Sequence, residues 1–244
     1  MKHFIISILT ITSLTVNAQS ILMPSKNSFE KKWIKSTSYQ MKWYTVNDSA
    51  KHEIGIVTTQ IVKANKQLIV VTQVNMKNMN TPWTDSTVAN LKTLKPIRHT
   101  SHNFQRDIIL NFGKTITGYY NDKTNHNRTI VNDKPKNGYF DSNLYPFLVC
   151  WLPLENDYKQ NISIYDFNPS RGNGIIKASI KNVSSGSYQT EKNGIRNVWV
   201  VWVSNEIVQN KNSSSTYFID KENRNLWKQE IEVNGRKMMM KLVE

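Results

Sequence analysis

Residues 139–167, YFDSNLYPFLVCWLPLENDYKQNISIYDF, hold the one strongly apolar helical candidate in a chain otherwise patterned as short strands. Leu144, Phe147, Leu148 and Trp151 fall at i, i+3, i+4 and i+7, the spacing that gathers four large side chains on one helical face. Pro146 lacks an N–H and is harmless only within the first turn, so the N-cap cannot lie much before Asn143. Pro153 stops the helix at the other end, leaving residues 144–152. A helix of about two and a half turns does not hold in water by itself. It must bury that face against a sheet, gaining about 1.5–3 kcal/mol for each large side chain fully removed from water. The face is then either a core element or the lid of a cavity.

The flanking sequence supplies the sheet. Residues 39–46 alternate through Met41, Trp43 and Thr45, and residues 54–64 and 68–76 are rich in β-branched side chains, with Asn65-Lys66 as the tight connection between the latter two. Residues 78–83, with Pro82, read as a loop. A strand–turn–strand unit at 85–97 shares its plan with one at 215–231: a Ser-Thr entry, an apolar strand, a polar turn and a Leu-led strand, with Leu94 answering Leu226. Residues 108–112 pair with 115–120 across Gly113-Lys114, and 121–136 read as a long loop or a weakly formed strand around Ile130 and Val131. Strands follow at 162–167, 175–183, 195–208, 226–233 and 237–243. Asn193-Gly194 and Asn234-Gly235 are type I′ hairpin signals, both residues of which need positive φ. The run at 198–203, VWVVWV, is apolar on both faces and is expected to be a central strand covered on both sides. Residues 25–36 suggest a short amphipathic helix or turn before the sheet. The fold class is therefore mainly β, with one or two short helices.

The ends and the composition bound the compartment. Lys2 and His3, an apolar run at 4–16 and the small-residue exit Val16-Asn17-Ala18 have the three parts of a cleaved secretory signal at 1–18, leaving 19–244 as a single domain. The apolar run is shorter than the roughly 20 residues of a spanning helix. The single cysteine, Cys150, lies inside the helix and not after the cleavage point, so the mature chain is expected to carry neither lipid nor disulfide. The 244 residues include 32 Lys and Arg against 18 Asp and Glu, a formal charge of +14. These lysines are scattered among Asn, Ser and Thr, without the basic stripe interleaved with aromatics that single-stranded nucleic acid requires. Nucleic acid is therefore not an expected partner, which leaves peripheral attraction to an anionic membrane surface.

Chemistry-bearing motifs are sparse. His99 and His102 lie three apart on a strand and so face opposite sides, which prevents chelation of one metal; both read as exposed hairpin histidines. There is no Gly-x-Ser-x-Gly elbow, and no acidic pair such as Asp141 with Asp166 stands out from ordinary surface acids. Arg171-Gly172-Asn173-Gly174 reads as a turn, lacking the Lys-Ser/Thr and helix start of a phosphate loop. Most of the seven tryptophans sit in apolar patterns and read as core; Trp83, in its loop, is the exposed candidate for a sugar platform. No catalytic residue, metal or cofactor is expected.

The order of the motifs Asp85-Ser86-Thr87 with Thr93-Leu94-Lys95-Pro96, then Gly118-Tyr119, Asp141-Ser142-Asn143-Leu144-Tyr145, Leu152-Pro153-Leu154, Tyr165-Asp166-Phe167 and the closing Tyr217-Phe218-Ile219-Asp220 with Leu226-Trp227-Lys228 resembles an exported bacterial family of unknown function. Members of that family are similar in fold to the lipoprotein carriers LolA and LolB, and the resemblance spans residues 40–244. It implies a strongly curved antiparallel half-barrel with a helix in its concave side. In the carriers that hollow takes acyl chains, and the family has no catalytic residues to carry over. One helix stands here in place of the carriers' multi-helix plug. The Lys- and Asn-rich composition and the Asn17-Ala18-Gln19 region are similar to exported proteins of Bacteroidetes-like bacteria, which implies a periplasmic protein. The expected function is non-enzymatic binding of a lipid, acyl chain or lipoprotein in a hollow lined by Leu144, Phe147, Leu148, Trp151, Trp199 and Val201. The alternatives are a closed structural or interaction module of the cell envelope and, with less support, a carbohydrate-active enzyme.

Overall fold

The computed structural model describes residues 20–48, 50–169, 174–207 and 213–244; the expected leader at 1–18 and most of the Arg171-Gly172-Asn173-Gly174 turn lie outside the described residues. A short 3-10 turn, Lys31–Trp33, precedes the strands β1 (Thr37–Asn47), β2 (Ala50–Ala64), β3 (Gln67–Met76), β4 (Trp83–Asn90), β5 (Pro96–His102), β6 (Arg106–Asn111), β7 (Ile116–Asp122), β8 (Asn127–Asp133) and β9 (Phe140–Asp141). The helix α1 (Tyr145–Trp151) follows, then β10 (Gln160–Tyr165), β11 (Ile175–Gln189), β12 (Ile195–Asn205), β13 (Ser213–Asp220), β14 (Leu226–Val233) and β15 (Arg236–Leu242). Among the described residues these strands form one sheet in the order β8-β7-β6-β5-β4-β3-β2-β1-β15-β14-β13-β12-β11-β10-β9. Every pairing is antiparallel except β9 with β10. The mainly β, curved antiparallel expectation is therefore met.

The sheet curls until its two arms meet. Asp141 on β9 bonds the side chains of Thr87 on β4 and His99 on β5, and the rings of Phe112, Tyr139 and Tyr165 pack at tilted and edge-on angles with centroids 5.2 to 5.8 Å apart. Helix α1 lies inside this curl. Leu144, Tyr145, Leu148, Val149, Cys150, Trp151 and Leu152 are all buried, so the helix is not amphipathic as its four-residue stripe suggested. Sheet surrounds it on several sides, and the N-terminal segment closes a further one: Leu22, Phe29 and Ile34 join the same core, and the Glu30 N–H caps the Trp151 carbonyl at 2.8 Å. Each large side chain on the helix therefore has an apolar neighbour.

Turn chemistry is repeated along the chain. Asn90, Asp122 and Asp220 each accept two backbone N–H groups through one side-chain oxygen, from residues two and three ahead, at 2.8–3.2 Å. Four residues after each stands a left-handed residue: Leu94 (φ 58°), His126 (φ 52°) and Arg224 (φ 65°). This corrects the match of the two hairpins. Registered on the side chain that caps the turn, Leu94 answers Arg224 and not Leu226. Of the two forms expected for 121–136, the strand around Ile130 and Val131 is the one found, as β8 after a hairpin turn. Asn234-Gly235 has positive φ at both residues as a type I′ turn requires, whereas at Asn193-Gly194 only the glycine does. There the Thr190 hydroxyl donates to the Gly194 carbonyl at 2.8 Å and accepts the Asn193 N–H, making a wider loop. The apolar run of β12 is central, as expected, but its second side is covered only at the Val198 end. Val201 and Val203 enter the core, while Trp202 is 47% exposed on the convex face. Of the helix or turn expected at 25–36, the structure has the turn, the 3-10 segment Lys31–Trp33.

Candidate functional site

Cross-strand register places a row of polar side chains on the concave face. Tyr39 stands opposite Thr59, Thr59 opposite Thr72, Thr72 opposite Asp85, and Asp85 opposite Ser101, running across β1 to β5. The row borders a cavity of about 450 Å³ between the sheet and the first turn of α1, with Met41, Val57, Ile108, Leu110, Phe147 and Met240 among its apolar walls. That volume is in the range of small-molecule sites, roughly 300–1,000 Å³.

One end of the cavity is built on Asp141. His99 Nδ1 lies 3.0 Å from its carboxylate, the Thr87 hydroxyl donates to the same oxygen, and the Asn143 amide donates to Thr87 at 3.2 Å. Burial pushes the His99 imidazole toward its neutral form, but the carboxylates of Asp141, Asp85 and Asp166 outweigh that and hold its pKa above the ordinary value. His99 is thus a buried, oriented side chain and not the exposed hairpin histidine that its polar surroundings suggested. His102 does face the opposite side, exposed and 3.0 Å from Asp107. Trp83 is not an exposed platform either: its indole N–H donates to Asp85 at 2.8 Å and to Ser101 at 3.3 Å in the cavity wall.

The other side of Phe147 opens into a second cleft of about 390 Å³. Tyr39, Phe147 and Leu226 line both spaces, so the two adjoin. Arg224, from the left-handed position of the β13–β14 turn, lies in the wall of this second cleft with 9% of its surface exposed. Its Nε and Nη1 have no hydrogen-bond partner, and its guanidinium lies 5.0 Å from the centre of the Trp33 ring. Glu30 is 3.5 Å from Nη2, but that carboxylate is engaged at shorter range by Lys32 (2.8 Å) and the Trp33 indole N–H (2.7 Å). Burial lowers the Arg224 pKa, with Glu30 opposing the shift.

Of the six hollow-lining candidates, only Phe147 borders the larger cavity. Leu144, Leu148 and Val201 are packed core; Trp151 is core on one side and borders the second cleft on the other. Trp199 is half-buried against the core and capped by the Lys221 ammonium, 3.9 Å from its ring centre. Helical spacing finds what is buried, and here burial mostly means packing. Cys150 is likewise core, and burial pushes its thiol pKa up to about 12. A groove of about 590 Å³ on the convex face holds Trp202 among acids and bases alike, Asp48, Glu230 and Glu232 with Lys51, Lys228, Lys237 and Lys241, so its lining carries both signs of charge. No helix among the described residues is long and apolar enough to cross a membrane.

Comparison with known proteins supports the architecture. A family described as "Protein of unknown function (DUF3108)" matches residues 38–241. A crystal structure of a beta-barrel-like protein of the domain of unknown function DUF1849 from Brucella abortus superposes with a TM-score of 0.54 at 10% identity, covering 86% of this chain and 96% of that one. A Parabacteroides distasonis protein described as a putative lipoprotein aligns with a TM-score of 0.33 at 11% identity, over 92% of this chain and 98% of that one. No curated protein matches the chain.

Proposed function

The chain belongs to the DUF3108 family, and on that premise we propose that it is a non-enzymatic, exported protein that holds the apolar part of a lipid or other acyl ligand inside its curled sheet. The observation that carries this reading is the cavity of about 450 Å³ beside Phe147, with Met41, Val57, Ile108, Leu110 and Met240 in its walls and polar side chains that can meet an oxygen of the ligand. A fully packed interior, close to crystal density, leaves no such space. A half-barrel with a helix in its hollow is also what the resemblance to a family similar in fold to the LolA and LolB carriers implies. This chain differs in one respect. Helix α1 is buried nearly all round, so the ligand lies beside the helix and the helix stays in place.

A closed module of the envelope is the competing reading, favoured by the packing of Leu144, Leu148 and Val201 into the core. Titration of the mature chain with a fluorescent fatty acid, together with native mass spectrometry after gentle purification, separates the two. Saturable binding at micromolar concentration, reduced when Phe147→Trp fills the cavity, supports ligand holding. No binding and no co-purifying apolar adduct leaves the closed module.

A further inference from the structure

Two turns of one design give opposite side chains to the interior. At the left-handed position of the β4–β5 turn, Leu94 is fully buried in the apolar core. At the same position of the β13–β14 turn stands Arg224, nine-tenths buried, charged, and with two guanidinium nitrogens unbonded. A left-handed backbone disfavours any side chain, and a buried guanidinium with two nitrogens lacking acceptors costs further free energy. Leu94 shows that the turn itself has no need of a charge there. Lys35 borders the same cleft, while the nearby carboxylate of Glu30 is held by Lys32 and Trp33, so positive charge is left over on this side of Phe147. On the far side, His99 and Arg106 face Asp85, Asp141 and Asp166, where carboxylates are in the majority.

We propose that Arg224 is the anchor for an oxyanion head group, and that the ligand is a single-chain anionic amphiphile whose head sits in the outer cleft and whose chain passes Phe147 into the larger cavity. This rests on the cavity reading above. The unbonded Nε–H and Nη1–H groups, buried in the wall of the cleft, supply the donors, and a carboxylate or phosphate supplies the acceptors they lack. Tyr39, Phe147 and Leu226, shared between the two spaces, are the passage. The acidic far end explains the direction: an anionic head there would meet three carboxylates.

The test uses the mature chain and displacement of a neutral, polarity-sensitive dye by three probes of equal chain length: dodecanoate, dodecyl phosphate and dodecanol. The wild type is expected to bind at least one of the anions about tenfold more tightly than the alcohol, the worth of one charge-assisted hydrogen bond. Arg224→Gly, which suits the left-handed backbone and should fold at least as well as the wild type, is expected to erase that preference, read as the ratio of anion to dodecanol affinity within the variant. The stronger of the two anions identifies the head as carboxylate or phosphate. Equal affinity for anions and alcohol in the wild type, or a preference that survives Arg224→Gly, overturns the anchor and leaves the cavity reading standing. Failure of all three probes to bind overturns both.

Discussion

The β4–β5 and β13–β14 hairpins are built alike and used differently. Both cap the turn with a side-chain oxygen, Asn90 in one and Asp220 in the other, and both place a left-handed residue four positions on. Leu94 completes the core. Arg224 interrupts it, at a site bordered by Trp33, Trp151 and Phe147. The capping residues diverge in the same sense. Asn90 serves its own turn, whereas the buried carboxylate of Asp220 also accepts from the Arg196 guanidinium and the Trp227 indole, each at 2.9 Å. One hairpin is purely architectural, and the other is architecture carrying a polar load.

Exchanging the two left-handed residues gives the largest effect. Leu94→Arg buries a charge with no partner and should cost about 3–5 kcal/mol in urea unfolding, while Arg224→Leu should be neutral or gain about 1 kcal/mol. Equal losses from both exchanges would show that Arg224 is as structural as Leu94. The caps come next: Asp220→Ala should cost about 3 kcal/mol because it strands the buried Trp227 indole, uncaps the turn and leaves Arg196 with Glu222 alone, against about 1 kcal/mol for Asn90→Ala. Burial pushes the Asp220 pKa up, but the bonds from Arg196, Trp227 and the backbone outweigh it and hold it below the ordinary value. Its contribution is therefore complete above the unfolded carboxylate pKa, about 3.9, and disappears as pH falls through the lower folded value. Asp220→Asn should flatten that acid limb of the stability profile, and an unchanged limb would contradict the assignment.

Phe147→Ala is a probe of slack. A fully packed Phe costs about 3–5 kcal/mol when truncated, but Phe147 is half-buried with space on two sides, so a loss below about 3 kcal/mol is expected. The smallest effect concerns His99, whose raised pKa works in the opposite sense from that of Asp220. Its pairing with Asp141 contributes fully below about pH 6.5 and is lost as pH rises through the folded value. Asp85 and Asp166 face the same imidazole and act in the same direction, with Arg106 in the same cavity. His99→Gln should remove the mild decline in stability that sets in as pH rises above about 6.5. A decline that persists in the variant would trace to another group.

Much of this fold was legible because its signals are local. Alternation and β-branching mark the strands, Pro146 and Pro153 bracket the helix within a residue at each end, and Asn234-Gly235 sets the last hairpin. The curl was foreseen through the resemblance of the motif order to half-barrel proteins. The site was not legible, because its contacts are made across the curl. His99 meets Asp141 over 42 positions and Thr87 meets it over 54, and nothing in the surroundings of any of them marks the meeting. The helical stripe misled for a related reason: spacing reports burial, and in a helix wrapped on nearly every side burial does not distinguish a cavity wall from a core. Arg224 alone left a trace. Had the two hairpins been registered on Asn90 and Asp220, the charge at the position of Leu94 would have stood out.

The most direct test is a crystal structure of the chain with 12-bromododecanoate, read by anomalous scattering from the bromine. The account predicts one bromine peak in the larger cavity, beyond Phe147 and among Met41, Val57 and Ile108, with the carboxylate against the Arg224 guanidinium. A saturated ligand whose bromine lies outside the sheet, or whose carboxylate lies at the His99 end, would contradict it.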